Sequence, residues 1–292
     1  MIIWLASYPK SGNTWVRTIL GQILNNDFDN EKIFETSKKI RVYPSKIDFI
    51  NLDQDFQNTV FPDDMKKVIF DKTAINWIKS QNEINTNKKI NIFKTHNMLC
   101  KLKIQNKFYS FTSIENTIGV IHIVRDPRNV ISSLVNHFSF EHTDLALKFM
   151  LNENQTMGLE DNKIPQLLSS WKNHYNSWKS FPKNYFLIKY ENLTNDPKKE
   201  VKKIIDYLNN FLSIRISEDN LNKIISNSSF ENLKNLEAKG LFNENAKNKK
   251  TGEVKDFFNL GKKNNWKNIL DKNIINKLEK KFYNEMKELG YM

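Results

Sequence analysis

Apolar positions come in two rhythms along the 292-residue chain. Short unbroken runs near 2–6, 90–94, 118–124 and 184–190 have the length and the Ile, Val and Phe content of buried strands. Between them apolar residues recur at helical spacing. After Ile2–Ala6, for instance, Trp15, Val16, Ile19, Leu20, Ile23 and Leu24 mark one helical face. The same spacing predicts amphipathic helices near 196–210, 217–226 and 270–288. Strands alternating with helices predict an α/β fold with a mostly parallel central sheet flanked by helices. The length suits one domain, residues 1–292. Residues 26–66 and 139–165 are polar and irregular, and read as long loops or short helices over the sheet edge. The Lys-, Asn- and Gly-rich stretch 237–265 reads as mobile. There is no internal repeat and no low-complexity linker.

The densest chemistry lies where the first strand gives way to the first helix. Ser7 to Asn13 form a turn, so a strand, a basic turn and a helix N-terminus follow one another. That order builds an anion site. The amides of the turn and of the first helical turn point at the ligand, the helix dipole favours negative charge, and Gly12 lets the backbone come close. Lys10 adds a full charge, and Ser11 and Thr14 add hydroxyl donors. A magnesium-binding nucleotide loop requires a Lys after its last Gly; here Lys10 comes two residues before the only Gly.

A second constellation is Val120-Ile-His-Ile-Val-Arg-Asp-Pro-Arg-Asn-Val-Ile-Ser-Ser133, a strand ending at Arg125 with Ser133 eight residues further on. Asp126 is a natural N-cap and Pro127 suits the first helical position. Ser133 then lies about two helical turns in. A strand-end Arg and a hydroxyl on the next helix can grip one phosphate, the Arg as a permanently charged fork.

Charge and cysteine usage narrow the picture. The net charge of +12 favours acidic ligands, but the Lys residues are scattered rather than blocked, which argues against a nucleic-acid or polyanion module. Arginine is rare, and two of the five (Arg125 and Arg128) share one short segment. Cys100 is alone, which excludes a disulfide framework and a thiolate metal cluster. No run approaches the roughly 18 apolar residues of a membrane span, and the apolar N-terminus is too short for a signal segment. A cytoplasmic enzyme without membrane insertion is expected. Oligomeric state is unreadable.

Tyr8-Pro-Lys-Ser-Gly-Asn-Thr-Trp15 resembles the 5′-phosphosulfate loop of cytosolic-type sulfotransferases, usually Tyr-Pro-Lys-Ser-Gly-Thr-Thr-Trp, with Asn13 the one departure. Arg125 and Ser133 resemble the family's 3′-phosphate motif, an Arg followed eight residues later by a Ser. The resemblance implies a P-loop-like three-layer fold and 3′-phosphoadenosine 5′-phosphosulfate (PAPS) as co-substrate, with no metal. Lys94-Thr95-His96 matches a Lys-x-His at the family's corresponding strand end. By resemblance, His96 is the general base, Lys94 a sulfuryl-group ligand, and Lys10 a contact to the leaving oxygen. The family continues with Leu-Pro where this chain has Asn97-Met98. Trp15 lies where the family stacks adenine, Tyr190 where a strand-end Tyr bonds an adenine nitrogen, and Ser228-Ser-Phe230 where a Thr-Ser-Phe segment touches the nucleotide.

The C-terminal motif departs most. The family has Arg-Lys-Gly-x-x-Gly-Asp-Trp-Lys; here the aligned stretch is Asn259-Leu-Gly-Lys-Lys-Asn-Asn-Trp-Lys267. Gly261, Trp266 and Lys267 remain, the Arg-Lys pair does not, and Lys262 or Lys263 is left to supply charge. The family's dimerisation motif is not recognisable. The chemistry suits the residue types: a neutral imidazole takes the proton of an attacking hydroxyl, and cations meet the charge on the leaving group. The acceptor implied is a small molecule bearing a hydroxyl or amine. Phe138, Phe140 and Phe149 line its pocket or belong to the core. Two other readings stay open at this level: a magnesium-dependent small-molecule kinase, and a family member that binds nucleotide without turnover.

Overall fold

Ile2–Ser7 forms strand β1, and all six residues are buried. A strand with no exposed face belongs inside a sheet covered on both sides, which is why its sequence is an unbroken apolar run. The computed structural model describes residues 1–57, 65–158, 163–242, 244, 246–247, 252 and 254–292. Part of the stretch read as mobile, including 248–251, lies outside the described residues. Along the rest, β1 is followed by helix α1 (Asn13–Asn25), α2 (Lys66–Asn85), β2 (Asn91–Thr95), β3 (Thr117–Val124) and α3 (Pro127–Phe138). Then come α4 (Trp171–Lys179), β4 (Tyr185–Lys189), α5 (Pro197–Leu208), α6 (Glu218–Asn227), α7 (Phe230–Ala238) and α8 (Lys272–Lys281). The four strands make one sheet in the order β2-β1-β3-β4. β1 and β2 run parallel, with Ile2 opposite Asn91 and Ala6 opposite Thr95. The parallel α/β fold expected from the alternation is the fold observed.

Residues 1–8, 41–122 and 150–187 form one compact unit, and residues 9–40, 123–149 and 188–292 form a second. The first is built on aromatic packing. The rings of Tyr43, Phe93, Phe111 and Trp178 surround Trp4, with centroids 5.1–6.4 Å away. The Trp4 indole donates to Thr117 Oγ1 at 2.9 Å, so its one polar atom is satisfied inside the core. One buried cluster of the second unit joins Ile33, Phe34, Leu233, Leu236, Phe242 and Phe258.

Helix starts follow the sequence signals. Asp126 accepts from the Arg128 amide with Pro127 at the first position, and Asp196 accepts from the Lys199 amide with Pro197 behind it. The run read as one helix near 270–288 is two, Lys272–Lys281 and Tyr283–Glu288. They part at Phe282, whose backbone (φ −116°, ψ 19°) is not helical. An antiparallel hairpin, Lys101–Ile104 with Lys107–Ser110, went unpredicted. It turns through Gln105 and Asn106, both at positive φ. Among the described residues, no helix is long and apolar enough to cross a membrane.

Candidate active site

The turn between β1 and α1 is wound tightly. Lys10 (φ 65°) and Gly12 (φ 106°) both take left-handed backbone, and Lys10 does so against the preference of a residue with a Cβ. Gly12 occupies the N-cap of α1 without a side-chain cap, and the first turn of the helix carries no acidic residue. The helix therefore opens with amides and partial positive charge that no carboxylate of that turn neutralises. Asn13 and Thr14 are buried in that first turn. Ser11 is fully buried and its Oγ has no hydrogen-bond partner among the described residues. A buried hydroxyl without a protein partner, beside uncapped amides, fits an anionic ligand that brings its own acceptors. Lys10 places its Nζ 3.7 Å from the centre of the Phe257 ring.

Arg125 ties this turn to α3. One guanidinium nitrogen, Nη1, donates to the Lys10 carbonyl at 3.1 Å and to Ser133 Oγ at 3.1 Å. Its Nε is buried with no partner among the described residues. The guanidinium lies 4.1 Å from the centre of the Tyr190 ring, which holds it by cation–π contact. Tyr190 also stands edge-on to Trp15, with centroids 5.4 Å apart. A Cβ placed on Gly12 would lie 2.7 Å from Tyr190 Cδ2, so the turn rests directly on that ring. Six residues singled out in the sequence (Lys10, Gly12, Trp15, Arg125, Ser133 and Tyr190) thus touch one another in a chain of contacts.

The C-terminal candidates make contacts of their own. Gly261 has φ 52° and presses on Phe230: a Cβ there would meet the ring at 2.5 Å. Ser228 is buried and its hydroxyl accepts from Gln22 Nε2 at 3.0 Å. The side chain of Lys262 lies outside the described residues, and Lys263 is exposed. Sequence reasoning missed Asn264. It is buried, and its Nδ2 donates to Ser133 Oγ at 3.1 Å. Asn264 stands where the family motif carries a second Gly, which gives no signal of a polar contact. Sequence reasoning also missed the structural role of Arg128. It is forked onto Asp126 and paired with Glu279 at 2.6 Å, and it stacks 3.9 Å over Trp266.

His96 and Lys94 lie at the end of β2, in the first unit. The amide of Lys94 donates to Arg41 O at 3.0 Å and its carbonyl accepts from the Tyr43 amide at 2.9 Å, which fixes the strand end. His96 is 8 % exposed, and its Nδ1 sits 2.7 Å from Ser7 O. A carbonyl can only accept, so Nδ1 carries a proton, and in the neutral ring Nε2 is the basic nitrogen. The His96 amide donates to Gln166 Oε1 at 2.8 Å. The Asn97-Met98 turn that replaces Leu-Pro is firmly held. Asn97 Oδ1 accepts from the Leu167 amide at 2.8 Å, and its carbonyl accepts from the Trp178 indole at 2.8 Å. His122 and His174 are buried in the same unit with ring centroids 5.8 Å apart, and burial pushes His174 down to about 3. Phe138, Phe140 and Phe149 pack on one another with centroids 5.1–6.0 Å apart, and all three remain half-buried. Among the described residues, no group of three or more His, Cys, Asp or Glu side chains is placed to hold a metal.

Residues 2–290 match the sulfotransferase domain family. The chain belongs to the sulfotransferase family. As a member, it is an enzyme of the PAPS-dependent class. Sulfotransferase 1B1 of the dog, Canis lupus familiaris, is 28 % identical over 80 % of this chain and 66 % of its own length. Cytosolic sulfotransferase 17 of Arabidopsis thaliana is 22 % identical over 99 % of this chain and 75 % of its own length. Among solved structures, retinol dehydratase in complex with androsterone and the inactive cofactor PAP superposes with a TM-score of 0.60. That match has 19 % identity and covers 98 % of this chain and 80 % of the other, so the two share a fold.

Proposed function

We propose that this sulfotransferase moves a sulfuryl group from PAPS to a hydroxyl or amine of a small-molecule acceptor, with His96 as general base. The observation that carries the reading is the Ser7 carbonyl, which holds a proton on His96 Nδ1 and so makes Nε2 the basic nitrogen of the neutral ring. Androsterone in one structural relative supports an acceptor of small-molecule size. Relatives named as cytosolic support a cytosolic enzyme.

In this reading Ser11, Gly12, Asn13 and Thr14 hold the 5′ end of the nucleotide through amides and hydroxyls, while Arg125 and Ser133 hold its 3′-phosphate. Trp15, Tyr190, Ser228 and Phe230 receive the adenosine, and Gly261 and Lys262 complete the phosphate contacts. When bound, PAPS supplies the sulfuryl group and a bisphosphate leaving group. His96 Nε2 takes the acceptor proton as its oxygen bonds to sulfur. Lys94 meets the charge of the transferred group. Lys10 meets the charge left on the departing 5′-phosphate oxygen.

The test has two arms. Thermal shift compares adenosine 3′,5′-bisphosphate with AMP and with ATP plus magnesium; preferential stabilisation by the bisphosphate without metal is expected. Transfer from PAPS to a phenol panel is then measured for the native enzyme and His96→Ala. The variant is expected to lose at least about 100-fold in turnover and to bind the bisphosphate as before. Undiminished transfer by His96→Ala removes His96 as the base.

A further inference from the structure

We propose that Asn264 is a positioning residue that aims the Ser133 hydroxyl at the 3′-phosphate, and so sets how strongly the enzyme prefers a 3′-phosphorylated nucleotide. The inference rests on the reading of Arg125 and Ser133 as the 3′-phosphate site.

Asn264 is 7 % exposed, and both its Nδ2 hydrogens and its Oδ1 have partners. One Nδ2 hydrogen goes to the Asn129 carbonyl at 3.0 Å and the other to Ser133 Oγ at 3.1 Å. Oδ1 accepts from Ser132 Oγ at 2.6 Å. This network also fixes which end of the amide is which, because a flipped Oδ1 would face the Asn129 carbonyl, acceptor against acceptor.

Ser133 Oγ receives two donors, Arg125 Nη1 at 3.1 Å and Asn264 Nδ2 at 3.1 Å. A hydroxyl oxygen has two lone pairs and one proton. With both lone pairs engaged, the proton is the one function left to Ser133, and it must point away from its two donors toward a third partner, an acceptor. Phosphate oxygens are acceptors only. Removing the Asn264 amide frees one lone pair and lets the hydroxyl rotate, so donation to the ligand is no longer enforced. Asn264 brings geometry but no charge. Its effect is therefore confined to ligands that carry a group at the 3′ position.

Affinities for adenosine 3′,5′-bisphosphate and for AMP are measured by calorimetry on the native enzyme, Asn264→Ala, Ser133→Ala and the double variant. Asn264 has φ −73°, so Ala fits its backbone without strain. Asn264→Ala is expected to weaken bisphosphate binding about tenfold and to leave AMP within about twofold, the scale of one charge-assisted hydrogen bond. In the Ser133→Ala background the same change is expected to do nothing further. Equal weakening of both ligands overturns the proposal, as does a full tenfold loss on top of Ser133→Ala. If Ser133→Ala lowers bisphosphate selectivity and Asn264→Ala does not, only the role of Asn264 falls. If Ser133→Ala itself leaves selectivity intact, the 3′-phosphate site falls and takes the proposal with it. Should Asn264→Ala not fold, Asn264→Gly replaces it under the same criteria.

Discussion

Gly12→Ala tests the join between the Lys10–Gly12 turn and Tyr190. Two costs add. The first is backbone strain: Gly12 sits at φ 106°, where a residue with a Cβ loses about 1–2 kcal/mol. The second is steric, since the new Cβ would lie 2.7 Å from Tyr190 Cδ2, when ordinary contact begins at 3.4 Å. Relief requires a shift of about 0.7 Å (3.4 − 2.7) in a ring that also carries Arg125 and Trp15. Overpacking of that kind costs about 1–3 kcal/mol. The variant should therefore lose about 2–5 kcal/mol in urea unfolding followed by tryptophan fluorescence, together with much of its bisphosphate affinity. The two costs separate in a double-mutant cycle. In a Tyr190→Ala background the steric part disappears and the strain stays, so Gly12→Ala should cost only about 1–2 kcal/mol. An equal cost in both backgrounds would show that the ring contact is energetically idle and refute the reasoning.

Two further outcomes are expected. Arg128→Ala should destabilise the fold by about 3–5 kcal/mol, because it strands the buried Asp126 and unpairs Glu279. Arg128→Lys should recover only part, since an ammonium cannot reproduce the fork; a loss under about 1 kcal/mol in urea unfolding would contradict this. Acid should weaken the fold through His174. Its folded pKa, about 3, lies below the ordinary 6.5 of an exposed ring, so the unfolded chain binds more protons between these values. The contribution of His174 is then complete above about pH 6.5 and is lost at about 1.4 kcal/mol per pH unit as pH drops toward 3, a slope that His174→Asn should remove.

The parts of the molecule that were legible in advance are those where local sequence carries its own signature. β1 announces itself because a strand buried on both faces must be apolar throughout. The turn at Lys10–Gly12 is readable because its Gly meets a conformational demand, and α3 because Asp126 and Pro127 are start signals. Gln105-Asn106 turns a hairpin with both residues at positive φ, but it lacks the glycine that usually flags such turns. The break at Phe282 leaves no mark in the pattern, because apolar spacing continues across it. Asn264 was hidden for a different reason. Its partners, Asn129, Ser132 and Ser133, lie more than 130 residues away in the chain, and no periodicity brings distant polar side chains together. Arg128 shares a short segment with Arg125, yet two of its partners, Glu279 and the Tyr291 carbonyl, come from the far end of the sequence.

Phe257 gives Lys10 a resting place. The ammonium group lies 3.7 Å from the ring centre, and the Phe257 and Phe258 amides are themselves gripped by the Glu237 carboxylate at 2.6 and 3.0 Å. A free lysine side chain surrenders about 2 kcal/mol of rotamer entropy when it is immobilised. Here much of that loss falls within folding, before any ligand arrives. The cation proposed to meet the leaving group is thus narrowed to few conformations by the fold itself, and the glutamate that arranges this does so through the backbone of Phe257.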